Sequence, residues 1–163
     1  MRIVKIVFNS SPLIFLARLD YLATFFDSAD EFYLPQIVSA EIQAKQDEAS
    51  EYIQSLIDDN KIEVRTINLV SLAKSLNLRL GKGESEAIAL ATELQADYVI
   101  LDDFAARKEA MRLGLNVRGT LAIIRKLNKD GKIVIDNLDE LYQRLMEINF
   151  RIKRAVFDSI FAD

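Results

Sequence analysis

The sequence predicts an α/β protein built on a mostly parallel sheet, and three observations carry that expectation. Short apolar segments of strand character alternate along the chain with longer segments of helical period. Half of the 163 residues are hydrophobic, enough for a packed core in a chain of single-domain size. Only two prolines and five glycines interrupt the pattern. With no repeat, linker or low-complexity tract, residues 1–163 read as one domain, with helices over 137–163 as a C-terminal extension.

The elements follow in order. Residues 3–8 read as a buried strand whose apolar run (Val4, Ile6, Val7, Phe8) stops at Asn9. Ser10 or Ser11 then serves as a helix N-cap and Pro12 suits the first turn, ahead of Leu13, Ile14, Leu16 and Ala17. Phe32, Tyr33 and Leu34 make a short strand, and Pro35 opens a helix carrying Ile37, Val38 and Ile42. A further helix through Tyr52, Ile53, Leu56 and Ile57 gives way to a strand over Ile62–Ile67. A short helix near 69–76 leads to the turn "LGKG", a helix from Glu84 to Leu94, and a strand from Tyr98 to Leu101 ending in Asp102-Asp103. Residues 104–113 are helical and stop at Gly114. A strand near 116–118 precedes a helix from Thr120 to Asn128, closed by Gly131. Leu138, Leu141, Tyr142, Leu145 and Ile148 mark an amphipathic helix, and Val156, Phe157, Ile160 and Phe161 a last one.

What the chain lacks narrows its chemistry. It has no histidine and no cysteine, which excludes Ser-His-Asp and Cys-His catalysis, disulfides and the usual zinc ligands. A metal site in such a chain is built from oxygen ligands and suits Mg²⁺ or Mn²⁺. Met1-Arg2 leads straight into the first strand with no signal-like segment, and no apolar run is long enough to span a bilayer. The expectation is a cytoplasmic protein without membrane association. Net charge is -4, against a generally basic nucleic-acid coat. From Glu84 to Asp103 there are six acids and no base; from Phe104 to Lys132 there are eight bases against Glu109 and Asp130. That pairing suits a metal cluster beside a phosphate-binding rim, although charge counting alone favours ordinary solvated helix faces.

An acid on an apolar face needs a reason, because burying an unpaired charge is costly. Glu84 shares its helical face with Ala87, Ile88 and Ala91, whereas Glu86 and Glu93 lie together on the opposite side as a solvated pair. Glu41 falls on the stripe of Ile37 and Val38, with an ion pair to Lys45 as its ordinary alternative. Asp102 ends a strand, where its side chain can project over the sheet's edge, and alternation sends Asp103 elsewhere. Asn9 ends the first strand in the same way. Each residue has a plain reading: Asn9 as a cap, Glu84 as a charge favoured by the helix dipole, Asp102 as a turn former. Together they make a set of oxygen donors that a divalent cation would hold at one sheet edge. Other motifs fail: "LGKGES" lacks the phosphate-cradling spacing, no GxGxxG occurs, and a receiver domain would end its first strand in acids, not in Asn9.

The segments "VFNSSPLIFLARL", "YLPQIVSAEI", "LGKGESEAIALATELQADYVILDD" and "ARKEAMRLGLNVRGTLAIIRKLNKDGKI" resemble PIN-domain proteins, including the VapC-type toxin ribonucleases of toxin–antitoxin pairs. The tail "NFRIKRAVFDSIF" is similar to a subgroup of them. The resemblance implies a three-layer fold with a five-stranded parallel sheet of order 3-2-1-4-5 and an acidic pocket at the strands' carboxyl ends. It places the pocket's metal-binding and catalytic positions on Asn9, Glu41, Glu84 and Asp102. Substrate-binding positions fall on Ser10 or Ser11, Arg107 and Thr120, with Arg107 as either a phosphate contact or a structural partner. It further implies Mg²⁺ or Mn²⁺ as cofactor, RNA as substrate, a homodimer, and an antitoxin laid across the acidic groove. Most such nucleases carry aspartate where this chain has Asn9. An amide brings no charge, so weakened activity, or a binding module whose catalysis has decayed, is the alternative expectation.

Overall fold

The computed structural model describes residues 3–27 and 30–162; Met1 and Arg2, ahead of the first strand, lie outside them. The elements run β1 (Lys5–Phe8), α1 (Ser10–Arg18), α2 (Leu22–Phe25), β2 (Glu31–Pro35), α3 (Gln36–Gln43) and α4 (Glu48–Asp58). They continue with β3 (Glu63–Arg65), α5 (Val70–Leu76), α6 (Lys82–Leu94), β4 (Tyr98–Ile100), α7 (Phe104–Arg112) and β5 (Val117–Arg118). Helices α8 (Thr120–Lys129), α9 (Leu138–Glu147) and α10 (Arg154–Phe161) close the described chain.

All pairings are parallel and the strand order is β3-β2-β1-β4-β5, the order expected. A parallel sheet is stable only with both faces covered, and the strands supply two cores by alternation. Ile6, Phe8, Phe32, Leu34 and Ile100 pack on one face with residues of α1, α4, α8, α9 and α10. Val7, Tyr33, Val99, Leu101 and Val117 pack on the other with α5, α6 and α7. Helix, sheet and helix thus form three layers. Phe8 anchors the first core, with Phe25, Phe26 and Phe32 around it at ring separations of 5.7, 5.9 and 6.4 Å.

Several boundaries differ from the sequence expectation, each for a local reason. The N-cap of α1 is Asn9 itself, not Ser10 or Ser11, and its side chain makes no capping hydrogen bond. Helix α6 starts at Lys82, two residues earlier than the apolar pattern suggests, because Glu84 Oε1 accepts from Gly81 N at 3.0 Å and closes the first turn. Strand β3 is half the expected length, and β4 ends at Ile100. The short helix α2 has too few residues to show a period and was not expected from the sequence.

The C-terminal apolar stripe packs within the chain. Phe157 is fully buried between Tyr142 at 5.2 Å and Phe161 at 4.8 Å, and Leu141 and Leu145 join the same core. Among the described residues no helix is long and apolar enough to cross a membrane. Phe157→Ala should therefore cost about 3 kcal/mol or more of folding stability, read by urea unfolding. A loss below about 1 kcal/mol would mean that α9 and α10 ride on the core without contributing to it.

Candidate functional site

In a parallel sheet, the place where crossovers diverge to opposite faces leaves a crevice at the strands' carboxyl ends. Here that place is β1, which has β2 on one side and β4 on the other. Asn9 N donates to Ile100 O at 3.2 Å, extending the β1–β4 ladder one step beyond the strands and setting Asn9 beside the Leu101-Asp102 turn. A cleft of about 230 Å³ opens there, lined by Asn9, Ser11, Phe15, Glu84, Asp102, Asp103, Phe150 and Arg151.

Asp102 is the most firmly held of these. One carboxylate oxygen accepts from Thr120 N at 2.8 Å and the other from Thr120 Oγ1 at 2.6 Å, so the side chain ties the end of β4 to the start of α8. Thr120 is fully buried. Arg107 donates to Leu101 O at 3.0 Å and sets its charge beside Asp102. Gly119 makes this packing possible: a Cβ there would sit 2.7 Å from the Arg107 guanidinium and 3.0 Å from the Asp102 carboxylate. Burial still raises the Asp102 carboxyl above the usual carboxylate range, against the lowering effect of both Thr120 bonds and of Arg107.

Glu84 stands in the first turn of α6, where the helix dipole favours it. Burial pushes its carboxyl up; the Gly81 amide opposes this, while the negative charges of Asp103 and Glu41 add to it. Glu41 is close enough to act on Glu84, yet it lines the adjoining groove instead, a space of about 610 Å³ shared with Ser10, Ser11, Arg18 and Lys45 among others. There it accepts from Ser10 Oγ at 3.3 Å, and among the described residues it forms no ion pair with Lys45. Its carboxylate lies against the backbone of α6 at Gly83, where a Cβ would come within 2.7 and 2.9 Å of its two oxygens. Ser11 and Phe15 line both spaces and join them into one trench.

Three expectations need correction. Asp103 does not turn away: the strand has already ended, alternation no longer applies, and Asp103 lines the cleft while capping α7 through Ala106 N at 3.0 Å. Glu86 and Glu93 are not a solvated pair. Glu93 accepts from the backbone N–H of Asn68 and Leu69, and burial raises Glu86. The basic stretch after Phe104 gives the cleft no rim: Arg112 pairs with Glu109, Lys126 with Asp130, Arg118 stacks on Tyr98, and the three bases that do share a groove, Arg118, Lys126 and Lys132, line a separate one.

The donors are oxygen throughout: the Asn9 amide, 7% exposed, and the carboxylates of Glu84, Asp102 and Asp103. Asp102 spends one lone pair of each oxygen on Thr120 and keeps the others. This chemistry fits a hard divalent cation. Among the described residues no three acidic side chains form a ready-made metal group, so the cleft is not a closed cage. Mg²⁺, which keeps several waters and takes one or two carboxylates, asks for no such cage.

A PIN-domain family model, DUF3368, matches residues 5–163. Among solved structures, the fold is similar to that of a PilT N-terminus domain protein from the hyperthermophilic archaeon Sulfolobus solfataricus P2. The TM-score is 0.50 at 19% identity, covering 82% of this chain and 98% of that one. No curated protein matches the sequence.

A carboxyl whose pKa is raised by folding supports the fold at low pH and withdraws that support as pH climbs from its ordinary value through the raised one. Glu84→Gln keeps an acceptor for Gly81 and removes the charge. Without divalent ions, this variant should melt at a higher temperature than the wild type at neutral pH, with the gap closing as pH falls below the usual carboxylate range. A variant less stable at neutral pH would contradict the reading that burial, reinforced by the neighbouring acids, disfavours a charged Glu84.

Proposed function

The chain belongs to the PIN-domain family, and on that premise we propose that it is a Mg²⁺- or Mn²⁺-dependent endoribonuclease acting at the cleft of Asn9, Glu84, Asp102 and Asp103. The observation that carries this reading is the gathering at the sheet's switch point of acids that form no salt bridge among the described residues, two of them raised by burial. A protein does not keep such a cluster for stability; a bound cation would relieve it.

In this reading Glu84 and Asp102 would hold the ion, with Asn9 and Glu41 completing its surroundings. The ion would polarise the scissile phosphate and lower the pKa of the attacking water. The chain's own contribution is preorganisation. Thr120 fixes both oxygens of Asp102, Gly81 fixes Glu84, and Gly83 and Glu41 hold the neighbouring charge at a set distance. Asn9 brings an amide oxygen where a carboxylate would bind the ion more tightly. Ser10 is engaged with Glu41, which leaves exposed Ser11 as the hydroxyl facing substrate. As the toxin of a pair, the protein would act as a homodimer and be silenced by an antitoxin chain laid along the trench.

Cleavage of a single-stranded RNA oligonucleotide should require Mn²⁺ or Mg²⁺, stop with chelator, and fall by about a hundredfold or more in Asp102→Asn. Asn9→Asp should bind Mn²⁺ more tightly and cleave faster. Cleavage without metal, or full activity in Asp102→Asn, contradicts the mechanism. An inert wild type with a strongly active Asn9→Asp variant replaces the enzyme with a binding module that has lost its catalysis.

A further inference from the structure

The cleft has one charged lining residue that the proposed reaction does not yet use. Arg151 comes from the connection between α9 and α10, outside the strands and helices that carry the acids, and its backbone is held on both sides. Asn149 takes a left-handed turn with φ 65°, and Phe150 N donates to Leu145 O at 2.9 Å. Phe150 is 8% exposed and meets Phe15 of α1 edge-on at 4.9 Å. Just beyond, Ile152 O accepts from Tyr142 Oη at 2.8 Å.

The side chain of Arg151, in contrast, is exposed and free. Every other described arginine has a partner: Arg18, Arg65, Arg79, Arg112 and Arg154 meet carboxylates, and Arg107, Arg118, Arg125 and Arg144 meet backbone carbonyls. Arg151 alone among them makes no side-chain hydrogen bond, ion pair or ring contact, although three acids line the same cleft. Its place on the wall follows from packing of the residues around it, so its guanidinium stays available to a ligand.

We propose that Arg151 is the phosphate-binding residue of this cleft, taking the non-bridging oxygens of an RNA phosphodiester; the proposal rests on the ribonuclease reading above. A cleft with three carboxylates attracts a divalent ion and repels a polyanion, so substrate entry needs a fixed cation beside the ion. Among the described residues Arg151 is the one basic residue lining it. A guanidinium presents a planar fork that matches two phosphate oxygens, which a lysine cannot do.

The test compares wild type, Arg151→Ala and Arg151→Lys in two assays besides cleavage. One is calorimetric binding of Mn²⁺ alone; the other is anisotropy of a fluorescent, cleavage-resistant phosphorothioate RNA with Mn²⁺ present, over a range of salt. Arg151→Ala should bind RNA about tenfold more weakly or worse and flatten the salt dependence by about 0.7 in log–log slope. It should bind Mn²⁺ a few-fold more tightly, because a like charge has gone, and Arg151→Lys should recover only part of the RNA affinity. RNA affinity and salt slope unchanged in Arg151→Ala would overturn the proposal, as would parallel loss of Mn²⁺ and RNA binding, which marks a structural role. If RNA binding falls in Arg151→Ala but the wild type cleaves nothing, Arg151 stands and the nuclease reading falls. If both proteins cleave equally well, the nuclease stands and the Arg151 proposal falls; a wild type that neither binds nor cleaves RNA sinks both.

Discussion

The amide of Asn9 donates to the carbonyl of Ile100, and the geometry of the site descends from that one junction. Strand β1 lies between β2 and β4, so the chain leaves it toward one side of the sheet and returns on the other. Parallel pairing puts the carboxyl ends of β1 and β4 level, with Phe8 opposite Ile100. The next residues on each strand have no further ladder to join and open into the crevice. Asn9 and Asp102 are neighbours because of register, and the helices α1, α6 and α8 then bring Ser11, Glu84 and Thr120 to the same edge.

The cleft is also where the fold works against itself electrostatically. Two of its acids, Glu84 and Asp102, are raised by burial, and the fold supplies positional constraints in place of salt bridges. Thr120 gives Asp102 two neutral donors, and Arg107 contributes charge from behind while bonded to Leu101 O. Glu41 is seated in the gap left by Gly83, close enough to disfavour ionisation of Glu84. Each arrangement fixes a carboxylate without cancelling it, which is the condition for binding something cationic. In the proposed reading stability is given up locally for that purpose, while the aromatic cluster around Phe8 and the burial of Phe157 hold the scaffold.

The sequence made the layers legible because strand and helix periods differ strongly, and the acidic positions legible because Glu84 shares a face with Ala87, Ile88 and Ala91, all fully buried. What it hid were features set by element ends. Strand alternation does not reach Asp103, because β4 has already ended and the residue caps α7. Glu93 looks solvated on a helical wheel, yet it bonds the backbone at Asn68 and Leu69, a contact no local pattern encodes. The basic stretch after Phe104 is contiguous in sequence only; its side chains leave α7 and α8 in several directions and find separate partners. Arg151 was invisible for the opposite reason: it lies far along the chain from the acids and reaches the cleft through Phe150 packed on Phe15.

The most direct test of this account is a crystal soaked in Mn²⁺ and read by anomalous scattering. A single strong peak within bonding distance of the oxygens of Glu84 and Asp102, with Asn9 adjacent, is the expected result. A crystal with no peak at the carboxyl ends of β1 and β4, or with manganese bound only at surface acids elsewhere, would contradict the claim that these side chains exist to hold a hard cation.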